Sequence, residues 1–247
     1  MPVVMTSADW IDTLDRCQSL PAMLRPCALL DGVPGGAEGA AQALPVGRRD
    51  AQLLELQQAL FGPTLDALAQ CPHCGEQLEL NLRVSDLRVP DATDMAEAEP
   101  VVCLEHDGYH LRGRLPDSRD LAAAAQAADV HEARDMLMQR CLLEATHDGQ
   151  PLAPHELPDT LLRQLGDAMS AADPQADTEL ALECPACAHC WNEPFDVGSY
   201  LLCSLEQWAE RCLDQVHTLA QAYGWTEAHI LALSPSRRAR YIERVLS

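Results

Sequence analysis

Apolar positions at helical spacing dominate residues 6–70. Trp10, Ile11 and Leu14 share one face, and Leu53, Leu54, Leu56 and Leu60 form a second periodic run, so the spacing predicts helix from Thr6 to Gln70. Asp31-Gly32-Val33-Pro34-Gly35-Gly36 reads as the loop between them. Gly47-Arg48-Arg49-Asp50 opens the second helix, with Asp50 in a first turn where an acid suits the positive pole of the helix dipole. After Cys74 the period changes to two. Leu78, Leu80, Leu82 and Val84 alternate with polar residues, the pattern of a half-buried strand. Val101 to His106 and Tyr109 to Leu115 flank Asp107-Gly108, a dipeptide typical of two-residue hairpin turns, and the acidic stretch Asp91 to Glu99 before them reads as a solvated connection.

Asp120 to Thr146, rich in Ala and Leu, predicts helix with a break near Asp129, and Leu157 to Met169 predicts another before the polar loop Ala171 to Asp177. Leu180 and Leu182 alternate into a second cysteine pair, with Trp191 and Phe195 beyond it, so this pair too sits at a strand turn. Leu201, Leu205, Trp208, Cys212, Val216, Leu219 and Tyr223 recur at spacings of three and four, an apolar stripe on a long helix that Gly224 ends. The stripe suits the protein's own core better than a coiled-coil partner. Thr226 caps a short helix carrying Ile230 and Leu231, and Ser234-Pro235 opens a final helix through Tyr241 and Val245.

The expected fold is α+β and mostly helical. A split, zinc-ribbon-like β element carries an inserted β-hairpin and helical region and is followed by a C-terminal helical segment. The chain divides into an N-terminal helical region (1–70), a first cysteine turn with β-strands (71–116), a helical insert (117–177), and a second cysteine turn with C-terminal helices (178–247).

A chain of 247 residues, 47% hydrophobic, can bury a sizeable core, and with only 4% aromatic residues that core is built from Leu, Ala and Val, which favours packed helices. The net charge of −21, from 38 acidic against 17 basic residues, opposes nucleic-acid phosphates. No apolar run approaches the roughly 20 residues that cross a bilayer, and Met1 to Trp10 has neither the basic nor the apolar part of a signal peptide. These features point to a soluble, cytoplasmic protein with no membrane span. Arg237, Arg238, Arg240 and Arg244 form a basic cluster, read as a solvated helix end, with docking on an acidic partner as the alternative.

Eleven cysteines in a chain without an export signal argue for reduced thiols. Cys71-Pro72-His73-Cys74 and Cys184-Pro185-Ala186-Cys187 each bring two thiolates within reach of one ion, so Cys71, Cys74, Cys184 and Cys187 are the candidate ligands of one structural Zn2+. The 109 residues between Cys74 and Cys184 far exceed the usual ~15–20, which marks a ribbon split by an insertion. Two unconnected pairs, or a redox dithiol, are the alternative. Gly75 readily adopts positive φ after the first turn; Ala188 stands in its place in the second. His189 and Cys190 lie close enough to compete for the ion but read as helpers or packing, and His73 as solvated. Four thiolates leave the ion no open position, and no phosphate loop, nucleophile elbow or His-Glu-x-x-His helix is present, so neither an enzyme nor a small-molecule substrate is expected. His106 and His110 flank a hairpin turn and are weak metal candidates. Cys141, Cys203 and Cys212 fall on apolar helix faces and read as core.

Leu44-Pro45-Val46-Gly47-Arg48-Arg49-Asp50, Phe61-Gly62, the first Cys-Pro-x-Cys with Gly75, Arg114-Leu115-Pro116 and Ser118-Arg119-Asp120-Leu121 form an ordered set. Together with the second Cys-Pro-x-Cys and Ile230 to Pro235 followed by Arg237, Arg238 and Tyr241, this set resembles the baseplate hub assembly chaperone family of T-even-type phages and related contractile injection systems. The resemblance runs from Leu44 to the C-terminus, most closely over residues 178–247. It implies a non-enzymatic assembly factor or structural component, cytoplasmic or incorporated into a particle, whose partners are baseplate hub, spike or tube proteins of a contractile tail. The zinc rests on this chain's own cysteines. A zinc-ribbon nucleic-acid-binding protein is the alternative, opposed by Glu76, Glu79, Glu183 and Glu193 beside the turns.

Overall fold

The computed structural model describes residues 5–89 and 101–246; the acidic connection predicted from Asp91 to Glu99 therefore lies outside the described residues. Thr6 starts α1 (Ser7–Gln18) with a reciprocal cap: its Oγ1 accepts the Asp9 N–H at 3.2 Å, and the Asp9 carboxylate accepts the Thr6 N–H at 2.8 Å. α2 (Arg25–Asp31) and α3 (Val46–Phe61) follow, and the long α8 (Val197–Tyr223) packs across all three. Leu14, Leu29, Leu53, Leu54, Leu201 and Leu205, none more than 5% exposed, interlock as the main core. Truncating any one of them to Ala costs roughly 2–5 kcal/mol.

The helix predicted to run to Gln70 stops at Phe61. Pro63 lacks an N–H and disfavours helical backbone in the residue before it, and Gly62 sits at φ +97°. Thr64–Gln70 is instead strand β1, with Leu65 and Ala69 buried, paired antiparallel with β2 (Gln77–Arg83). A single turn, α4 (Val84–Leu87), closes this hairpin against the body. Because α3 begins at Val46, Asp50 falls beyond the first turn; it is buried beside Arg49 rather than set at the helix pole.

The insert has its own core. β3 (Val101–His106) and β4 (Tyr109–Arg114) meet through Asp107-Gly108, whose φ values of 46° and 81° are those of the predicted tight turn. α5 (Ser118–Ala124) and α6 (Val130–Cys141) follow, divided near Asp129. The helix predicted to reach Thr146 ends at Cys141, however, and β5 (Leu142–His147) pairs with β4, then turns at Asp148-Gly149 into β6 (Gln150–Pro151). The sheet order is β3-β4-β5-β6, so strands from both sides of residue 116 share one sheet. α7 (Asp159–Ala172) sets Leu161, Leu165 and Met169 against Leu111 and Ala145 of that sheet.

A buried polar joint ties the insert to the body. Pro45 bridges Asp117, the Val46 N–H donates to Pro116 O at 3.1 Å, and Arg49 Nη1 donates to Ser118 Oγ at 2.9 Å. The fully buried Asp120 carboxylate accepts two bonds from Arg114 at 2.6 and 2.9 Å and one from Arg140 at 2.8 Å. Burial pushes its pKa up, but Arg114, the Asp117 N–H and Arg140 outweigh that and hold it well below the usual carboxylate range. Gly47 donates its N–H to Asp173 at 2.9 Å, and a Cβ on Gly47 would overlap the Asp173 carboxylate, which is why glycine occupies this position.

β7 (Glu179–Glu183) and β8 (Cys190–Pro194) form the second cysteine hairpin and lead into α8. The predicted stripe on α8 covers the protein's own core: Leu201 and Leu205 join the main core, while Val216 and Leu219 pack with Ile230 and Leu231 of α9 (Glu227–Leu231). Gly224 ends α8 at φ +67°. In α10 (Pro235–Leu246), Arg237, Arg240 and Arg244 are exposed, but Arg238 is only 1% exposed. Arg238 donates to Leu233 O at 2.8 Å, Gln215 Oε1 at 3.0 Å and Ser7 Oγ at 3.2 Å, pinning α10 to α8 and α1, so it does not belong to a solvated cluster. Cys141 and Cys212 are buried as predicted, whereas Cys203 is exposed because, about 200° round the helix from Leu201, it faces away from the core. Among the described residues no helix is long and apolar enough to cross a membrane.

Candidate metal centre

Each cysteine turn is fixed by its own backbone before any ion is considered. In the first, the Cys71 N–H donates to Glu76 O at 2.8 Å and the Gly75 N–H to Cys71 O at 2.9 Å, with Gly75 at φ +77°. The second repeats this, the Cys184 N–H donating to His189 O at 2.9 Å and the Ala188 N–H to Cys184 O at 2.9 Å, with Ala188 at φ +55°. Ala188 therefore takes up the left-handed conformation that Gly75 adopts without penalty.

The two hairpins bring the turns face to face. Cys71 Sγ lies 3.7 Å from Cys187 Sγ, Cys74 Sγ lies 3.6 Å from Cys184 Sγ, and all four sulfurs are within 4.8 Å of one another. A zinc ion with four sulfurs at about 2.3 Å spaces those sulfurs about 3.8 Å apart, whereas a disulfide needs about 2.05 Å. The cluster thus fits the edges of a tetrahedral site, and the thiols are free rather than paired. Both short contacts cross from one turn to the other, an arrangement that two unconnected pairs would not give. Cys71 and Cys184 are buried, Cys187 half-buried and Cys74 exposed.

Backbone donors aim at the sulfurs. Burial pushes the Cys71 thiol up, but the N–H groups of Cys74 and His73 and the neighbouring thiols pull it down to about 7. At Cys187 the His189 N–H lowers the thiol, but burial and the three other sulfurs prevail and push it up to about 12. The Cys71 thiolate forms readily, while at Cys74 and Cys187 the Glu76 and His189 N–H groups are outweighed by the neighbouring sulfurs, which push the thiols up, a crowding that a bound cation would relieve.

His189 lies between His73 and Trp191, with ring centroids 5.5 and 6.1 Å away. Cys190 is exposed, its Sγ directed to Ala188 O at 3.9 Å. His106 pairs with Tyr109 and His110 with Glu105 in the β3–β4 register, which puts the two histidines on opposite faces of the sheet, away from any shared ion. Among the described residues no other group of three or more Cys, His, Asp or Glu side chains converges in this way. The polar joint around Asp120 was not legible as a site from single residues. Its one local signal is the Asp117-x-x-Asp120 spacing of a reciprocal cap, which the structure makes at 3.0 and 3.1 Å.

A family model described as "T4 bacteriophage base plate protein" matches residues 33–200. The matched span contains both cysteine turns, the insert and the polar joint, and it ends four residues into α8, so the C-terminal helices, for which the sequence suggests the closest resemblance, lie largely outside it. No curated protein and no solved structure matches the chain.

Proposed function

The chain belongs to the T4 bacteriophage base plate protein family, and from that premise we propose that it is a non-enzymatic assembly factor or structural component of the baseplate hub of a contractile phage tail or phage-tail-like injection system. The family match carries this reading. Hub, spike or tube proteins are its partners in the proposal, and the charge of −21 suits a protein that shields their basic or apolar faces until assembly. Within it, Cys71, Cys74, Cys184 and Cys187 hold one Zn2+ whose role is structural. The sulfur separations of 3.6 and 3.7 Å support that assignment. With every position of a tetrahedral ion taken by sulfur, none remains for water or substrate.

Purification of the tagged protein from cells that make the parent particle tests the role. Hub, spike or tube subunits are expected to co-purify in fixed ratio. Recovery of nucleic acid, released by salt, without any baseplate component would replace this reading with a zinc-ribbon nucleic-acid binder.

A further inference from the structure

We propose that the groove between the two cysteine hairpins and the first turns of α8 is a docking site for a protein segment that combines basic and apolar residues. The partner is taken to be another baseplate component, and in that respect the inference rests on the function proposed above.

The groove has a volume of about 920 Å³. Its apolar lining comprises Leu68 of β1, which is 73% exposed on the outward face of the β1–β2 hairpin, the half-buried Leu80, which pairs with Ala67 on the hairpin's other face, and the half-buried Phe195. The outward positions beside Leu68 on its strand are Asp66 and Gln70, as a solvated face requires, so Leu68 is the departure. Its cross-strand neighbour is Glu79, and directly paired residues share a face of the ladder. Asp66, Glu79, Glu193 and Asp196 line the groove, and among the described residues no Arg, Lys or His does. Apolar surface ringed by carboxylates of one sign selects a partner whose apolar side chains are flanked by cations. A nucleic acid would meet the same carboxylates as repulsion, and a second copy of a chain carrying −21 would approach against its own charge.

The groove is also preformed. The Tyr200 hydroxyl donates to Asp66 O at 3.2 Å, fastening β1 to α8, and the Phe195 and Tyr200 rings pack at 5.5 Å. A site already ordered loses less entropy when a peptide enters it.

The test is a fluorescence-anisotropy titration of the full, metal-replete protein with a labelled peptide of about twelve residues alternating Arg with Leu, and with its Glu-for-Arg counterpart. The Arg peptide is expected to bind, the Glu peptide not. Raising salt from about 0.05 to about 0.5 M should weaken binding about tenfold, and Leu68→Asp and Glu79→Arg should each weaken it about tenfold or more while leaving circular dichroism and metal content unchanged. Both side chains are exposed, so both variants are expected to fold. Absence of binding, or equal binding by wild type and both variants, would overturn the proposal. So would salt-sensitive self-association of the protein that excludes the peptide. Capture of baseplate subunits separates this inference from the role it rests on: equal capture by wild type and Leu68→Asp overturns the groove and leaves the baseplate role standing, whereas no capture by wild type overturns the role itself.

Discussion

Ala188 carries a backbone conformation that its chemistry resists. At φ +55° it does what Gly75 does at φ +77° in the matching turn, and the left-handed region costs an L-residue about 1–2 kcal/mol while glycine's extra freedom in the unfolded chain costs about 0.5–1. Ala188→Gly is therefore expected to raise stability, and Gly75→Ala to lower it, each by up to about 1.5 kcal/mol, read from thermal unfolding of the metal-replete protein. A Cβ on Gly75 would meet nothing nearer than Gln70 Nε2 at 3.8 Å, so the loss reports strain rather than collision. Asp50 makes a different prediction. Burial raises its pKa from 3.8 to about 6 against the pull of Arg49, so its contribution is fully present below the unfolded value and is lost as pH rises through the folded one. Between pH 4 and 7 the stability advantage of wild type over Asp50→Asn should shrink by on the order of 2–3 kcal/mol in denaturant titrations; a gap that does not change with pH would contradict this. The cysteines were legible in the sequence because a Cys-Pro-x-Cys turn is a local object. Asp50 was not, because its burial comes from partners distant in the chain.

Elements read well where one period ruled and poorly where it changed within a run. The stripe of α8 and the alternation of β2 stood out, but β1 and β5 were absorbed into neighbouring helices because Leu and Ala suit both states. The breaks had signals: Gly62-Pro63 before β1, and after β5 the Asp148-Gly149 turn, which repeats the Asp-Gly chemistry read correctly at 107–108. The joint between insert and body depends on Asp120, with Arg114 and Arg140 meeting it from β4 and α6. Asp120→Asn leaves those guanidiniums facing a neutral group and is expected to cost about 3–5 kcal/mol in equilibrium unfolding, several times the effect of replacing an exposed acid such as Glu144. A cost below about 1 kcal/mol would mean that the joint does not hold the insert.

Across the whole molecule, two two-stranded hairpins, each marginal alone, come together at four sulfurs while 109 residues leave and return between them. The mostly helical α+β fold was legible in outline from periodicity and from the low aromatic content. How the insert packs was not, since β4 and β5 meet through a register that no local pattern states. An ion at this position would link the chain before the insertion to the chain after it, so its loss should be felt by the entire fold. The most direct test is metal content per chain, by elemental analysis, of wild type and of Cys71→Ser, Cys184→Ser and Cys212→Ser. The account predicts one zinc in wild type and in Cys212→Ser, with zinc lost and thermal stability reduced in the other two. No zinc in wild type, or equal loss in all three variants, would contradict it.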